Sequence, residues 1–240
     1  MQLRDGTIVE DPRLDRIVHF DEASWAFRAI DLLEPEQRRQ AVTRMWTFPD
    51  GEPVLDQGQG GSCVGFGVTN ELRCNPVPVP NLDATFAHDT IYWGAQKLDQ
   101  WPGGSYPGAD PVYEGTSVLA GVKEARALGY YGRFHWAFGE TELAFAVSYQ
   151  GPAILGLTWF NDMFHPDADG YLHPTGGIAG GHCILCIGYN AEHGYYTLYN
   201  SWGPNWGDNG TAKVSRLDMN TLLRQQGEAC IVTQRYLPTH

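Results

Sequence analysis

Two hydrophobic periods divide the chain, a helical one in the first half and a strand-like one after residue 150. Apolar residues recur with helical spacing in residues 21–46, 85–100 and 116–132, and another helix is expected from Ser62 to about Arg73. After residue 150 the apolar segments are short and are separated by Gly, Asn or Asp, which is typical of strands. A helical half followed by a strand-rich half predicts an α+β fold with two lobes.

Local signals refine these elements. Pro35 interrupts residues 21–46, so two short helices are expected there, with Trp25, Ala29, Leu32 and Leu33 on their apolar side. The predicted strands are PAILGLTWF (152–160), HCILCIGYN (182–190), YYTLYNSWG (195–203), TAKVSRL (211–217) and ACIVTQRYL (229–237).

The helix that begins near Ser62 has an unusual composition. Ser62 is a suitable N-cap, but Gly65 and Gly67 each weaken the helix interior by about 1 kcal/mol relative to alanine. Glycines at such positions make sense if neighbouring backbone, or a substrate, approaches closely.

Composition and charge exclude several classes of function. The chain has 240 residues, 42% of them hydrophobic, and a net charge of −12 with no basic run longer than Arg38–Arg39, which argues against binding to nucleic acid. We find no secretory signal, and the most apolar stretch, residues 151–160, is too short to span a bilayer. Five cysteines, an odd and sparse set, favour reduced thiols. We therefore expect a soluble protein in a reducing cytoplasm, or in the host cytoplasm or the virion if the protein is viral.

Three polar residues are candidates for chemistry. Cys63 lies in the first turn of a helix, where the helix dipole favours an anion and should hold the thiol pKa well under the free value of about 8.5. His182 follows two glycines at the head of an apolar strand and can face a cleft. Asn200 ends a strand, where its amide oxygen can accept a hydrogen bond from an imidazole. Taken singly, each residue could equally be structural: an inert buried cysteine, a core histidine and a turn.

Together these segments resemble the papain-like cysteine peptidases. The matching residues, in order, are Gln57, Gly61-Ser62-Cys63, Gly181-His182, Asn200-Ser201-Trp202-Gly203, Trp206-Gly207 and Asn209-Gly210. His182 follows Cys63 by 119 residues and Asn200 follows it by 137, close to the spacing of that family. The resemblance covers residues 53–238 and is nearest to compact bacterial and bacteriophage members that lack a long propeptide.

The resemblance implies a papain-like two-lobed fold and assigns roles to residues. Cys63 would be the nucleophile, His182 the general acid and base, Asn200 the group that orients the imidazole, and Gln57 the side-chain donor to the oxyanion. The implied substrate-binding residues are Gly61, Gly115, Thr116, Gly181 and Trp202, with Gln234 near the floor of the main specificity pocket.

Departures from the family pattern bear on organisation. Gly60 and Tyr113 stand where the family has a disulfide, which fits a reducing compartment. Residues 1–44 precede the usual mature start and are expected to be a flank or a short pro-segment. Residues 45–150 would form the helical lobe with the nucleophile, and residues 151–240 the β-rich lobe with His182 and Asn200.

The predicted function is hydrolysis of peptide bonds through a thiolate–imidazolium pair and a thioester. Peptides or proteins are the expected partners, with no cofactor, metal, nucleic acid or membrane. His182, Cys183 and Cys186 do not suggest a zinc site, because alternate residues of a strand point to opposite faces. Two alternatives remain open: the same thiol chemistry on another amide, such as a peptidoglycan cross-link, an isopeptide or a transferase acceptor, and a non-catalytic peptide-binding module.

Overall fold

A seven-stranded antiparallel sheet organises the protein, whose computed structural model describes residues 1–237. The strands are β1 (Arg44–Met45), β2 (Tyr131–Trp136), β3 (Ala153–Phe160), β4 (Ile178–Asn190), β5 (Tyr195–Tyr199), β6 (Thr211–Ser215) and β7 (Glu228–Arg235). The helices are α1 (Cys63–Arg73), α2 (Trp93–Leu98), α3 (Val118–Ala127), α4 (Glu140–Tyr149) and α5 (Arg216–Arg224). The strand order is β2-β7-β3-β4-β5-β6, and β1 pairs with β4. This mixture of helices and antiparallel strands confirms the predicted α+β class.

The two faces of the sheet pack against different helices. Ile154 and Leu185 belong to a buried cluster that includes residues of α1 and α3. Their neighbours Leu155 and Ile184 belong to a second cluster that includes residues of α4 and α5. Successive residues of a strand point to opposite faces, so β3 and β4 contribute to both cores at once. Each fully buried Leu or Ile contributes about 1.5–3 kcal/mol to folding, and the central strands are thereby held on both sides.

The glycines of α1 allow close packing around the helix. All eleven residues of α1 are buried. A β-carbon on Gly65 would lie 2.1 Å from the carbonyl oxygen of Ala87, and one on Gly67 would lie 2.5 Å from the Sγ atom of Cys183. The two glycines lower the intrinsic stability of α1, but they allow the backbone at Ala87 and the side chain of Cys183 on β4 to pack closely against it, as the sequence indicates.

Gly65→Ala is expected to destabilise the protein by about 2 kcal/mol. The added β-carbon would collide with the Ala87 carbonyl oxygen, and the cost of this overpacking outweighs the gain of about 1 kcal/mol in helix propensity. Urea unfolding would measure the change. Gly60→Ala is the matched control, because a β-carbon there meets no atom within 4 Å. Equal midpoints for the two variants would contradict the packing argument.

Several boundaries differ from the sequence-based prediction. The helix predicted within residues 116–132, with Gly129 as its stop, is confirmed as α3, but residues 131–136 form β2, which pairs with β7 instead of remaining in a helical half. The α4 helix was not predicted. The helical stretch at 85–100 begins as a wider π-helical segment, Phe86–Tyr92, and continues as α2.

The N-terminal helices are short and less amphipathic than the pattern indicates. They are two 3₁₀ helices, Glu22–Ala26 and Ala29–Leu32. Ala29 and Leu33 are buried as predicted, whereas Trp25 and Leu32 remain exposed, at 56% and 50%. Trp25 stacks flat against Phe138, with 4.0 Å between ring centroids, and Phe20 meets it edge-on at 5.5 Å, so aromatic neighbours cover part of its surface. Within residues 1–237, no helix combines the length and the apolar character needed to cross a bilayer.

Candidate active site

The nucleophile candidate lies where α1 meets β4. Cys63 is the first residue of α1, and His182 lies on β4, where it pairs with Leu157 of β3. The backbone N–H of Cys183 donates a hydrogen bond to Cys63 Sγ at 3.2 Å. The thiol is therefore in direct contact with the residue that follows His182. The side chains of Cys63 and His182 are both fully buried.

The His182 ring is held by an amide and two indoles. Its Nε2 atom lies 2.8 Å from Oδ1 of Asn200, which follows β5. Trp159 and Trp202 pack against the ring with centroid distances of 4.7 and 4.9 Å. Trp206 packs in turn on Trp202. Asn200 thus fixes the ring from one nitrogen, and within residues 1–237 the other nitrogen, Nδ1, has no hydrogen-bond partner.

The orientation of the Gln57 side chain follows from its neighbours. Its Oε1 atom accepts hydrogen bonds from Ser201 Oγ at 2.8 Å and from Trp202 Nε1 at 3.2 Å. Because the Trp202 indole N–H can only donate, the Gln57 oxygen must face it, and the Nε2 amide is left as a donor on the other side. It donates to the carbonyls of Gly60 and Arg13. Gln57 Nε2 is therefore a donor held against the loop that leads into α1.

Residues near the N-terminus occupy the cleft, a feature that no local sequence signal indicates. We call residues 13–17 the cleft segment. The Arg16 N–H donates to the Gly181 carbonyl at 3.1 Å, and the Ile17 N–H donates to the Thr116 carbonyl at 2.8 Å. The guanidinium of Arg13 lies over Trp202, 4.3 Å from the ring centroid. An extended piece of this chain thus bridges backbone groups that the sequence assigned to substrate binding.

Asp15 caps the N-terminus of α1, a role that the sequence predicts for Ser62. Its Oδ1 atom accepts the Cys63 N–H at 3.1 Å. Ser62 makes no capping hydrogen bond, its Oγ atom is buried without a partner among the described residues, and its φ angle is +147°. A non-glycine residue in that region carries strain of about 1–3 kcal/mol. The N-terminus of α1 is therefore capped by a residue 48 positions away, and not by its own neighbour.

Three of the predicted binding residues are glycines that touch the cleft segment. A β-carbon on Gly181 would lie 2.2 Å from the Arg16 carbonyl oxygen. On Gly61 it would lie 2.9 Å from an Asp15 carboxylate oxygen. Gly115 has a φ of +103°, and a β-carbon there would lie 3.0 Å from the Asp15 carbonyl oxygen. The missing side chains allow an extended peptide to lie against both walls of the cleft.

Both candidate catalytic groups are neutral in this arrangement. Burial, together with the nearby Asp15 carboxylate, raises the pKa of the Cys63 thiol well above its usual value. Burial also lowers the pKa of His182 to about 4, although the hydrogen bond to Asn200 opposes the shift. The helix dipole alone predicts a lowered pKa for the Cys63 thiol. The structure contradicts that expectation for this state, because the cleft segment excludes water and adds a negative charge.

Gln234 is not part of the cleft. It pairs with Arg133 near the C-terminal end of β7 and is exposed. The other end of β7, at Glu228, pairs with Gly156 of β3 and contacts the cleft segment. Six residues of strand separate the two positions, about 20 Å. The prediction of a pocket floor near Gln234 is corrected by this register.

Comparisons with known proteins agree with the geometry. A family model described as papain family cysteine protease matches residues 113–234, just over half of the chain, a range that holds His182 and Asn200 but not Cys63. Over 165 residues the chain is 30% identical to cathepsin B-like cysteine proteinase 4 of Caenorhabditis elegans, covering 66% of this chain and 46% of that protein. Over 70 residues it is 39% identical to cathepsin B of Dictyostelium discoideum, covering 28% and 22%. The chain spans less than half the length of these curated relatives.

Solved structures show the same fold over almost the whole chain. Xylellain, a cysteine protease from Xylella fastidiosa, superposes with a TM-score of 0.69 at 15% identity, covering 96% of this chain and 99% of that one. Procathepsin B S9 from Trypanosoma congolense gives a TM-score of 0.56 at 14% identity, with 95% and 88% covered. These matches confirm the papain-like fold. The family model, which accounts for half of the sequence, establishes that the chain belongs to the papain family of cysteine proteases.

Proposed function

We propose that this protein hydrolyses peptide bonds through the Cys63 thiolate, and that the cleft segment holds it inactive in the arrangement described. One observation carries the proposal: backbone groups next to Cys63 and His182 already bind an extended peptide, residues 13–17. The contacts of Cys63 with the residue after His182, and of His182 with Asn200, support the assignment of the reacting groups. Family membership supports the chemistry, and the contacts of the cleft segment support peptides as the substrate.

The reaction follows from the donors and acceptors present. His182 Nδ1 would take the thiol proton, and Sγ would attack the carbonyl carbon of the substrate. Gln57 Nε2 and the Cys63 N–H would stabilise the oxyanion, and one such donor is worth roughly 2.7–4 kcal/mol in other acyl-transfer enzymes. When the C–N bond breaks, the imidazolium protonates the leaving amine and a thioester remains. Water, activated by His182, then releases the acid and restores the thiol.

The cleft segment occupies the site without being aligned for attack. The Cys63 N–H is bound to the Asp15 carboxylate, while Gln57 Nε2 is bound to the Arg13 carbonyl, two residues earlier. No single carbonyl is held by both donors, so no peptide bond of the segment is polarised for the thiol. This geometry favours a removable inhibitory segment over an inert flank.

Product analysis tests the reaction class. The full chain and a variant with a weakened cleft segment would be incubated with casein, muropeptides and amine acceptors in H₂¹⁸O. We expect new casein peptides that carry one ¹⁸O in the new carboxyl group, as hydrolysis of a thioester requires. Products joined to the added amine, or cleavage of muropeptides alone, would contradict the proposal. Peptide binding without any product would indicate a binding module instead.

A further inference from the structure

A second cysteine lies beside the nucleophile where α1 meets β4. The N–H of Cys183 donates to Cys63 Sγ at 3.2 Å. The Sγ atom of Cys183 packs against α1 at Gly67, one helical turn after Cys63. A β-carbon on Gly67 would lie 2.5 Å from this Sγ atom, so the glycine leaves the space that the second thiol fills. Both sulfur atoms thus occupy the same contact between helix and strand.

The backbone separation of these two cysteines suits a disulfide. A backbone nitrogen is one bond from its Cα atom, and Sγ is two bonds from its own, so the 3.2 Å contact keeps the two Cα atoms within about 7 Å of each other. Disulfides span about 4.4–6.8 Å between Cα atoms. A bond between Cys63 and Cys183 therefore requires new side-chain rotamers and little movement of α1 or β4.

The other cysteines are placed differently. Cys230 belongs to the same buried cluster as Cys63 and Cys183, but it lies on β7, which β3 separates from β4. Cys186 belongs to the core on the opposite face of the sheet. Cys74 follows the last residue of α1, at the far end of the helix from Cys63. Within residues 1–237, Cys183 is thus the cysteine whose backbone contacts the nucleophile.

Both thiols are protected while the cleft segment is bound. Cys63 is 0% exposed and Cys183 is 1% exposed, and burial raises the pKa of each thiol. An enclosed neutral thiol reacts slowly with a peroxide, because the thiolate is the nucleophile. Displacement of the segment admits water and small reagents to Cys63 and removes the Asp15 carboxylate beside it. The form with a displaced segment is therefore the form that peroxides oxidise.

We propose that Cys183 is a resolving cysteine, which converts a peroxide-oxidised Cys63 into a reversible disulfide within the chain. The Cys63 thiolate attacks one oxygen of hydrogen peroxide and the O–O bond breaks. The His182 imidazolium protonates the departing hydroxide, so sulfur is oxidised to a sulfenic acid and the peroxide is reduced to water. Cys183 Sγ then attacks the oxidised sulfur, and its thiol proton leaves with the hydroxyl group as a second water. This inference depends on the thiolate chemistry of the proposed function.

Peroxide treatment tests the assignment. The full chain with Leu14→Ala and Arg16→Ala, which weaken the cleft segment, would be treated with excess hydrogen peroxide, and the remaining thiols would be blocked before digestion. We expect the intact mass to fall by about 2 Da and a cross-linked peptide to contain both Cys63 and Cys183. Peptide hydrolysis should stop, and dithiothreitol should restore it to within about twofold of the starting rate. A mass gain of about 32 Da without the cross-linked peptide would overturn the proposal.

Cys183→Ala, added to the same chain, separates resolution from simple oxidation. Without the second thiol, excess peroxide carries the sulfenic acid on to sulfinic and sulfonic acids, which dithiothreitol does not reduce. The recovered activity should then be about tenfold lower than with Cys183 present. Before treatment this variant should hydrolyse peptides near the rate of the chain that retains Cys183, because the N–H that contacts Cys63 belongs to the backbone. Equal recovery with and without Cys183 would overturn the assignment.

Cys230→Ala is the matched control, and the cross-link is a readout of its own. The Cys230→Ala variant loses a buried thiol from the same cluster and should keep both the cross-link and the recovery. Mapping the cross-link needs no substrate, so the chain that retains Cys183 gives a result even if Cys183→Ala does not fold. A disulfide in a chain that hydrolyses no peptide before treatment would contradict the proposed function and support the pairing. Peptide hydrolysis without a cross-link after peroxide would remove only the role of Cys183.

Discussion

Cys63→Ala is expected to reduce peptide hydrolysis by about 10⁵-fold or more while the fold persists. The thioester cannot form without Sγ, and His182 and Gln57 then have no nucleophile to assist. Loss of a nucleophile in a comparable acyl-transfer enzyme costs on the order of 10⁶ in kcat. The Cys183 N–H also loses its acceptor, which should lower the free energy of unfolding by about 1 kcal/mol. Peptide hydrolysis assays and urea unfolding would measure the two effects.

Cys186→Ala is the control for this substitution. Cys186 is equally buried and lies on the same strand as His182, but it belongs to the core on the opposite face of the sheet from Cys63. The Cys186→Ala variant should therefore hydrolyse peptides within a few fold of the parent rate, and its free energy of unfolding should fall by about as much as that of Cys63→Ala. Hydrolysis by Cys63→Ala at more than a tenth of the parent rate would contradict the assignment of the nucleophile.

Leu14→Ala combined with Arg16→Ala is expected to raise kcat/KM of the full chain about 100-fold. Leu14 is fully buried in the cleft and its truncation removes about 2 kcal/mol of binding. Truncation of Arg16 leaves Glu228 unpaired and removes about 3 kcal/mol. A total of about 5 kcal/mol is enough to move the cleft segment from about 99% bound to about 99% displaced. Peptide hydrolysis by the variant and the parent gives the ratio.

The same variant should change the reactivity of the thiol with pH. In the bound state the pKa of Cys63 is raised, so alkylation by iodoacetamide should increase only at pH values well above the free thiol value of about 8.5. Displacement admits water and removes the Asp15 carboxylate, so the pKa falls and alkylation becomes fast at lower pH. A rate profile identical to that of the parent would show that the segment does not control the thiol.

A second double variant separates displacement from general effects on the N-terminal region. Glu36→Ala with Arg39→Ala changes two exposed residues outside the cleft. It should leave both hydrolysis and alkylation at the parent level. An equal rise in activity for this control would mean that the contacts of Leu14 and Arg16 are not the cause.

Local signals were sufficient for the elements that carry the reacting residues. The strands after residue 150 were predicted because apolar runs there are bounded by Gly, Asn and Asp. The α1 helix was predicted up to Arg73, where NPVPVP ends it. The same signals single out Cys63 and His182, since Cys63 begins α1 and His182 begins the apolar run of β4, four residues after the strand itself starts.

The cap of α1, the register of β7 and the position of the cleft segment depend on tertiary contacts, which the local sequence does not reveal. Ser62 has the side chain of an N-cap, but Asp15, 48 residues before Cys63, satisfies the helix donor instead. The register of β7 decides whether Glu228 or Gln234 reaches the cleft, and the residues of the strand do not reveal which end faces it. Nothing in the composition of residues 13–17 distinguishes a segment that fills a cleft from an ordinary loop.

The cap that Asp15 supplies to α1 has a consequence for the stability of the protein. The carboxylate that stabilises the start of this helix belongs to the same segment that blocks the thiol. Displacing the segment therefore exposes the nucleophile and removes a cap worth about 1 kcal/mol in one event. The form with a displaced segment is therefore the less stable of the two, and the protein is most stable while the cleft segment is bound.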